Sequence, residues 1–198
     1  MNKICVYLIT YIFIIHTSLF AYSTDPKEFV SELVTEVISK LSDKNLTDDE
    51  KAKFVEEIAL ENVDIKALSL YTLGEIRKSS EKQILIKYQN TFEKYFLKSL
   101  TSRLSDYSNS DFKVIEADKK SVNYTIVNSQ IVPVDGGPKI KIDWRIYTKN
   151  PEKPLIRDLI VEGLSLARTQ KEEFNSIIQS NDGDIEALFT SLKDFVKK

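Results

Sequence analysis

Apolar residues recur with a helical period through the first half of this chain, change to a period of two in the middle, and return to a helical period at the end. Asp25-Pro26-Lys27-Glu28 offers an N-cap, a proline at the first helical position and a reciprocal acid. The stripe Phe29, Val30, Leu33, Val34, Val37, Ile38 and Leu41 then predicts a helix with one dry face. Thr47 and Glu50 repeat the capping pattern ahead of Phe54, Val55 and Ile58. A short helix is expected from Asp64, with Leu68 and Leu73 inward and Gly74 as its stop. From Ser80 a long helix carries Ile84, Leu85, Tyr88, Phe92, Tyr95, Phe96, Leu100 and Leu104 on one side.

Beyond Tyr107 the alternation predicts strands over 112–117 and 122–131, joined by a polar turn at Asp118-Lys119-Lys120. The clearest strand sets Ile140, Ile142, Trp144 and Ile146 against Lys139, Lys141, Asp143 and Arg145, one face dry and the other wet. Asp135-Gly136-Gly137-Pro138 precedes it as a turn. A fourth strand, 155–161, carries apolar residues on both faces. Gly163 ends it, Ser165 is placed to cap a helix running to Gln179, and Gly183 precedes a last helix with Ile185, Leu188, Phe189, Leu192 and Phe195. The expectation is one α+β domain of several helices and about four strands, without internal repeats.

The first residues stand apart. Lys3, an apolar run from Ile4 to Ile15, and the small residues up to Ser23 follow the order of a cleavable secretory signal. Residues 1–23 are therefore expected to be a leader, cut after Ala21 or Ser23, and residues 24–198 the mature domain. Cys5 lies at the start of the apolar run and not after it, which is not the position of a lipidated cysteine. About 175 residues remain, enough for one core. Taking Lys3 from the 28 basic residues leaves 27 against 30 acids, a net charge of −3, and no basic block suggests a nucleic-acid partner.

Cys5 and His16 are the only cysteine and histidine, and both fall in the leader. The mature chain thus lacks the groups for serine or thiol acyl-transfer triads and for zinc sites of Cys and His. Its five glycines form neither a P-loop nor a dinucleotide fingerprint. Among carboxylates, Asp143, Asp158 and Glu162 are the least ordinary, with cross-strand pairing to Arg145 or Arg157 as their simplest role and acid–base catalysis as the competing one. No enzyme activity, metal or cofactor is expected.

Leu73-Gly74, Arg103-Leu104-Ser105-Asp106-Tyr107, Ile142-Asp143-Trp144-Arg145 and above all Val161-Glu162-Gly163-Leu164-Ser165-Leu166-Ala167 with Glu173-Phe174 come in an order that resembles MlaC, the toluene-tolerance auxiliary family of periplasmic phospholipid-binding proteins. The likeness runs through essentially the whole mature chain and the leader. Pro154 departs from it, standing where the family often has a tryptophan. The resemblance implies a twisted antiparallel sheet packed with helices around an apolar cavity for phospholipid acyl chains. It also implies a periplasmic shuttle, without catalysis, between an outer-membrane lipoprotein–porin complex and an inner-membrane ABC transporter complex, helping to maintain outer-membrane lipid asymmetry.

Physical chemistry makes such a cavity necessary for a carrier. Two acyl chains of about thirty methylenes lose roughly 25 kcal/mol if drawn into water, at about 0.8 kcal/mol per group. The expected lining is an aromatic helix bearing Tyr88, Phe92, Tyr95 and Phe96, facing a sheet that presents Tyr124, Ile126, Ile142, Trp144, Ile146, Leu159 and Val161. The same residues also describe a filled core between helix and sheet, the ordinary fate of aromatic stripes. The resemblance favours the cavity. A monomer is expected; a chaperone for a hydrophobic polypeptide or lipoprotein and a carboxylate-dependent hydrolase are the alternatives.

Overall fold

A computed structural model describes residues 22–102, 110–133 and 137–198. Nearly all of the expected leader, with Arg103, Leu104 and the Asp135-Gly136 part of the expected turn, lies outside the described residues. The elements run α1 (Pro26–Ser42), α2 (Asp48–Asn62), α3 (Ile65–Thr72), a 3-10 helix (Gly74–Lys78), α4 (Lys82–Thr101), β1 (Ser110–Ser121), β2 (Tyr124–Pro133), β3 (Ile140–Tyr147), β4 (Leu155–Val161), β5 (Leu164–Ser165), α5 (Leu166–Gln179) and α6 (Ile185–Lys197). The five strands form one antiparallel, unclosed sheet in chain order, and the architecture is α+β as expected.

Local chemistry accounts for most boundaries. The Asp25 carboxylate accepts from the Lys27 and Glu28 amides, but the Asp25 amide is taken by Ser23 Oγ and not by the expected acid. The full reciprocal box forms at α2, where Thr47 and Glu50 each bond the other's backbone amide. Those bonds draw the exposed Glu50 carboxyl below its usual range. Gly74 takes a φ of +65°, which ends α3.

The first hairpin corrects the sequence reading. Asp118-Lys119-Lys120 is not a turn but the end of β1, and the turn is the two residues Val122 and Asn123. Polar composition here marks an edge strand: β1 pairs on one side only, carries charges along its length and has two register shifts, all devices that discourage pairing with another chain. The fifth strand was also not foreseen, because two residues carry no periodicity. In β4, Arg145 pairs with Asp158 but Ile146 with Ile156, so Arg157 is the extra residue of a bulge. That is why Ile156 and Leu159, three apart, both reach the core, and why the strand's apolar residues looked two-sided. Pro154 lies buried immediately before β4, a position without a ladder donor to lose.

Among the described residues there are two apolar cores. One lies between α1 and the sheet, with α1 packed on β1 and β2; the other is built by α3, α4, α5 and α6, with α3 and α5 against β4. Val63 packs on both, and the seam is pinned where the Asp64 amide donates to the Ile156 carbonyl at 2.9 Å.

Candidate functional site

The α1–sheet core starts from the apolar stripe of α1 and the inward positions of three strands. Phe29, Val30, Leu33 and Val34 lie over Val127, Ile131, Ile142, Trp144, Ile146 and Ile156. Phe29, Val30, Val127 and Ile146 are sealed, at 0–1% exposure. Val34, Ile131, Ile142 and Trp144 retain 8–9%, and around them Phe112, Ile140, Leu159 and Val161 are only half-buried. Register gathers the open part at one end of the sheet: Phe112 pairs with Ile131, Ile131 with Ile140, and Ile142 with Val161.

A polar thread crosses this interior. Ser129 Oγ donates to the Ile142 carbonyl at 2.9 Å and accepts from Trp144 Nε1 at 2.8 Å. Both polar groups are thereby satisfied inside apolar surroundings, and the indole is fixed in one orientation. Phe112 meets that indole edge-on at 6.2 Å.

The structure divides the expected lining into three groups. Ile142, Trp144, Ile146, Leu159 and Val161 come together in the α1–sheet core, as expected. Tyr88, Phe92, Tyr95 and Phe96 belong to the helical core, because α4 packs chiefly on α6, α3 and α2. The helix that covers the sheet is α1. Phe92 contacts the rings of Tyr88, Tyr95, Phe96 and Phe174 at 5.9–6.3 Å. The buried Tyr88 hydroxyl shares a hydrogen bond of 2.9 Å with Thr72 Oγ1, and burial pushes its ionisation well above the usual phenol range. Tyr95 donates to Gln170 at 2.9 Å. Tyr124 and Ile126 form the third group, on the opposite face of the sheet, because Thr125, Val127, Ser129 and Ile131 are the residues of β2 that point inward.

That outer face holds an open groove of about 720 Å³ whose walls include Asp118, Lys120, Asn128, Asp143 and Arg145 beside Tyr124 and Ile126. At one end of the sheet Arg157 bonds Asp64 and the Tyr124 hydroxyl and lies 3.3 Å over the Tyr147 ring. Burial works against its charge, but Tyr124 and Asp64 outweigh it and the net direction is upward.

Each of the three singled-out carboxylates has an architectural partner. Asp158 is buried and accepts from Arg145, from Ser165 Oγ at 2.6 Å and from the Ala167 amide at 3.0 Å, tying β3, β4 and β5 to the start of α5. Asp143 accepts from the Asn128 amide at 2.7 Å, and Glu162 from the Lys141 backbone amide. Ser165 caps α5 by accepting from the Arg168 amide.

The stripe of α1 is the part of the site that sequence reasoning missed. Its signal was present: Phe29, Val30, Leu33 and Val34 are as apolar as the aromatic stripe of α4, and mainly aliphatic like the strand faces they cover.

An open antiparallel sheet with α1 on its inner face and a helical layer packed at its edge defines an α+β protein with two apolar cores among the described residues. The MlaC protein family model matches residues 31–194, and the chain belongs to that family. Its fold is shared with a phospholipid-binding protein from Ralstonia solanacearum, solved in complex with a phospholipid, at a TM-score of 0.70 over 85% of this chain and 94% of that one. The two are 18% identical, which carries the fold. No curated protein matches the sequence.

Proposed function

We propose that this chain is a soluble periplasmic phospholipid carrier that holds acyl chains between α1 and the sheet. The observation that carries this reading is a contrast in exposure: Val34, Ile131, Ile142 and Trp144 of the α1–sheet core keep 8–9%, whereas no buried member of the helical core exceeds 6%. The lining of the α1–sheet core is apolar, aliphatic side chains with Phe29, Phe112 and Trp144, and the polar groups of Ser129 and Trp144 satisfy each other there, a surface that hydrocarbon prefers. Family membership and the lipid complex of the Ralstonia protein support the same ligand class. The carrier passes lipid between an inner-membrane ABC transporter complex and an outer-membrane complex, and catalyses no reaction. Native mass spectrometry of protein collected from the periplasm tests it. Near-stoichiometric phospholipid is expected; lipid-free protein would overturn the reading, and a bound polypeptide would favour a chaperone.

Export is part of the proposal, with cleavage after Ala21. Tyr22 packs edge-on against Phe29 at 6.1 Å and donates its hydroxyl to Glu36 at 2.6 Å. Cutting after Ser23 would discard that anchor together with the Ser23 contacts to Glu32 and Asp25. N-terminal sequencing of the exported protein is expected to begin at Tyr22; a start at Thr24 would contradict it.

A further inference from the structure

We propose that the tight turn joining β4 to β5 is an insertion tip through which the less buried end of the α1–sheet core is brought against a phospholipid surface, an inference that rests on the carrier reading only for its link to that core. Glu162 and Gly163 both adopt positive φ, +48° and +83°, so the chain reverses in two residues. A left-handed conformation is unfavourable for glutamate, and two contacts hold it: the Glu162 amide donates to the Lys141 carbonyl, and its carboxylate accepts from the Lys141 amide. Beyond the turn, Ser165 is held by buried Asp158.

This fixed turn presents apolar side chains to water. Leu164 is 69% exposed and Leu166 49%, and a methyl group on Gly163 would meet nothing within 4 Å, so the feature is a convex projection. A projection of that shape suits a soft interface better than a preformed protein pocket. Position links it to the core. Leu164 pairs across the ladder with Val161, which packs on the α1–sheet core, so Leu164 leaves the sheet on the core face. Lys141 is exposed on the outer face of β3 beside the turn and Lys139 is exposed just before that strand, so a tip entering end-on brings both ammonium groups to the level of lipid phosphates. Of the neighbouring acids, Glu162 is turned back on Lys141 and Glu172 is paired with Arg168.

Exposure alone does not select this turn, because Val122 at the opposite end of the sheet is 80% exposed. That residue supplies the control. In the mature chain, which has no cysteine once the leader is removed, Leu164→Cys and Val122→Cys are each labelled with an environment-sensitive fluorophore. They are then mixed with vesicles of phosphatidylethanolamine and phosphatidylglycerol, or of phosphatidylcholine alone. The probe at 164 is expected to shift to the blue on both, more on the anionic vesicles, with no shift at 122. Unlabelled Leu164→Asp is expected to partition onto the anionic vesicles about tenfold more weakly than the parent chain, a factor within what burial of one leucine side chain supports. Equal responses at 164 and 122, no response at 164, or a response at 164 only when a membrane-protein partner is present would each overturn the proposal. The readout is insertion and not cargo, so lipid-free protein in native mass spectra would count against the carrier reading and leave this one standing.

Discussion

The two apolar cores of this protein are built from similar amounts of hydrophobic sequence and end in different states. In the helical core Tyr88, Phe92, Phe174, Ile178, Leu188, Phe189 and Leu192 are all at or below 2% exposure, with rings meeting edge to face and the one buried phenol satisfied by Thr72. In the core under α1, four of the main members keep 8–9%, whereas the most exposed buried members of the helical core are Ile65 at 6% and Leu73 at 3%; half-buried apolar residues rim both. Several helices close on one another from different sides in the first case, whereas α1, with Ile58 and Val63 at its side, lies across an open sheet in the second. Aromatic density therefore marks the more fully buried core, and the lipid site proposed above lies in the less fully buried one.

Truncations should separate the two regions, and the largest effect is expected in the closed one. Phe92→Ala removes a ring that contacts four others and is expected to cost about 3 to 5 kcal/mol in urea unfolding, with lipid per folded molecule unchanged. A stable Phe92→Ala variant with altered lipid content would reverse the comparison. At the seam, Asp158→Ala leaves the Ala167 amide and Ser165 hydroxyl without their acceptor, and a loss of about 1 to 3 kcal/mol is expected. Lipid transfer by the folded fraction should stay within a few fold of the parent; a loss of several orders of magnitude in a folded variant would instead indicate catalysis.

Ile142→Ala tests the open region. Acyl chains can move into the space it leaves, so lipid-loaded protein should lose about 2 kcal/mol or less, at or below the low end for an isoleucine truncation, while lipid occupancy changes. A cost as large as that at Phe92 with unchanged occupancy would mean that this core is filled by protein alone. The smallest effect belongs to Ile126→Ala on the outer face, expected to cost less than about 1 kcal/mol and to leave lipid content as it was.

Element identity was legible in the sequence because its signals are local. Asp25, Thr47, Asp64 and Ser165 all cap the helices they precede, and the alternation over 140–146 gives β3 its faces directly. Partnership between elements was not legible, because it depends on chain direction after each turn. Nothing in the stripe of Tyr88, Phe92, Tyr95 and Phe96 states that α6 will cover it and that α1 will cover the sheet. The face of β2 was misread because both sides mix polar and apolar residues, Thr125 and Ser129 with Val127 and Ile131 inside, and Asn128 and Gln130 with Tyr124 and Ile126 outside. Ser129 can face inward because the Trp144 indole and the Ile142 carbonyl satisfy it, a pairing visible only once β2 and β3 are in register.

Site-specific photo-crosslinking tests the central claim most directly. A benzoyl-phenylalanine placed at Val34, on the α1 side of the open core, is compared with one at Phe92 in the closed core, each in protein carrying its native lipid. The account predicts a lipid adduct by mass spectrometry at position 34 and none at position 92. An adduct at 92 with none at 34 would contradict it.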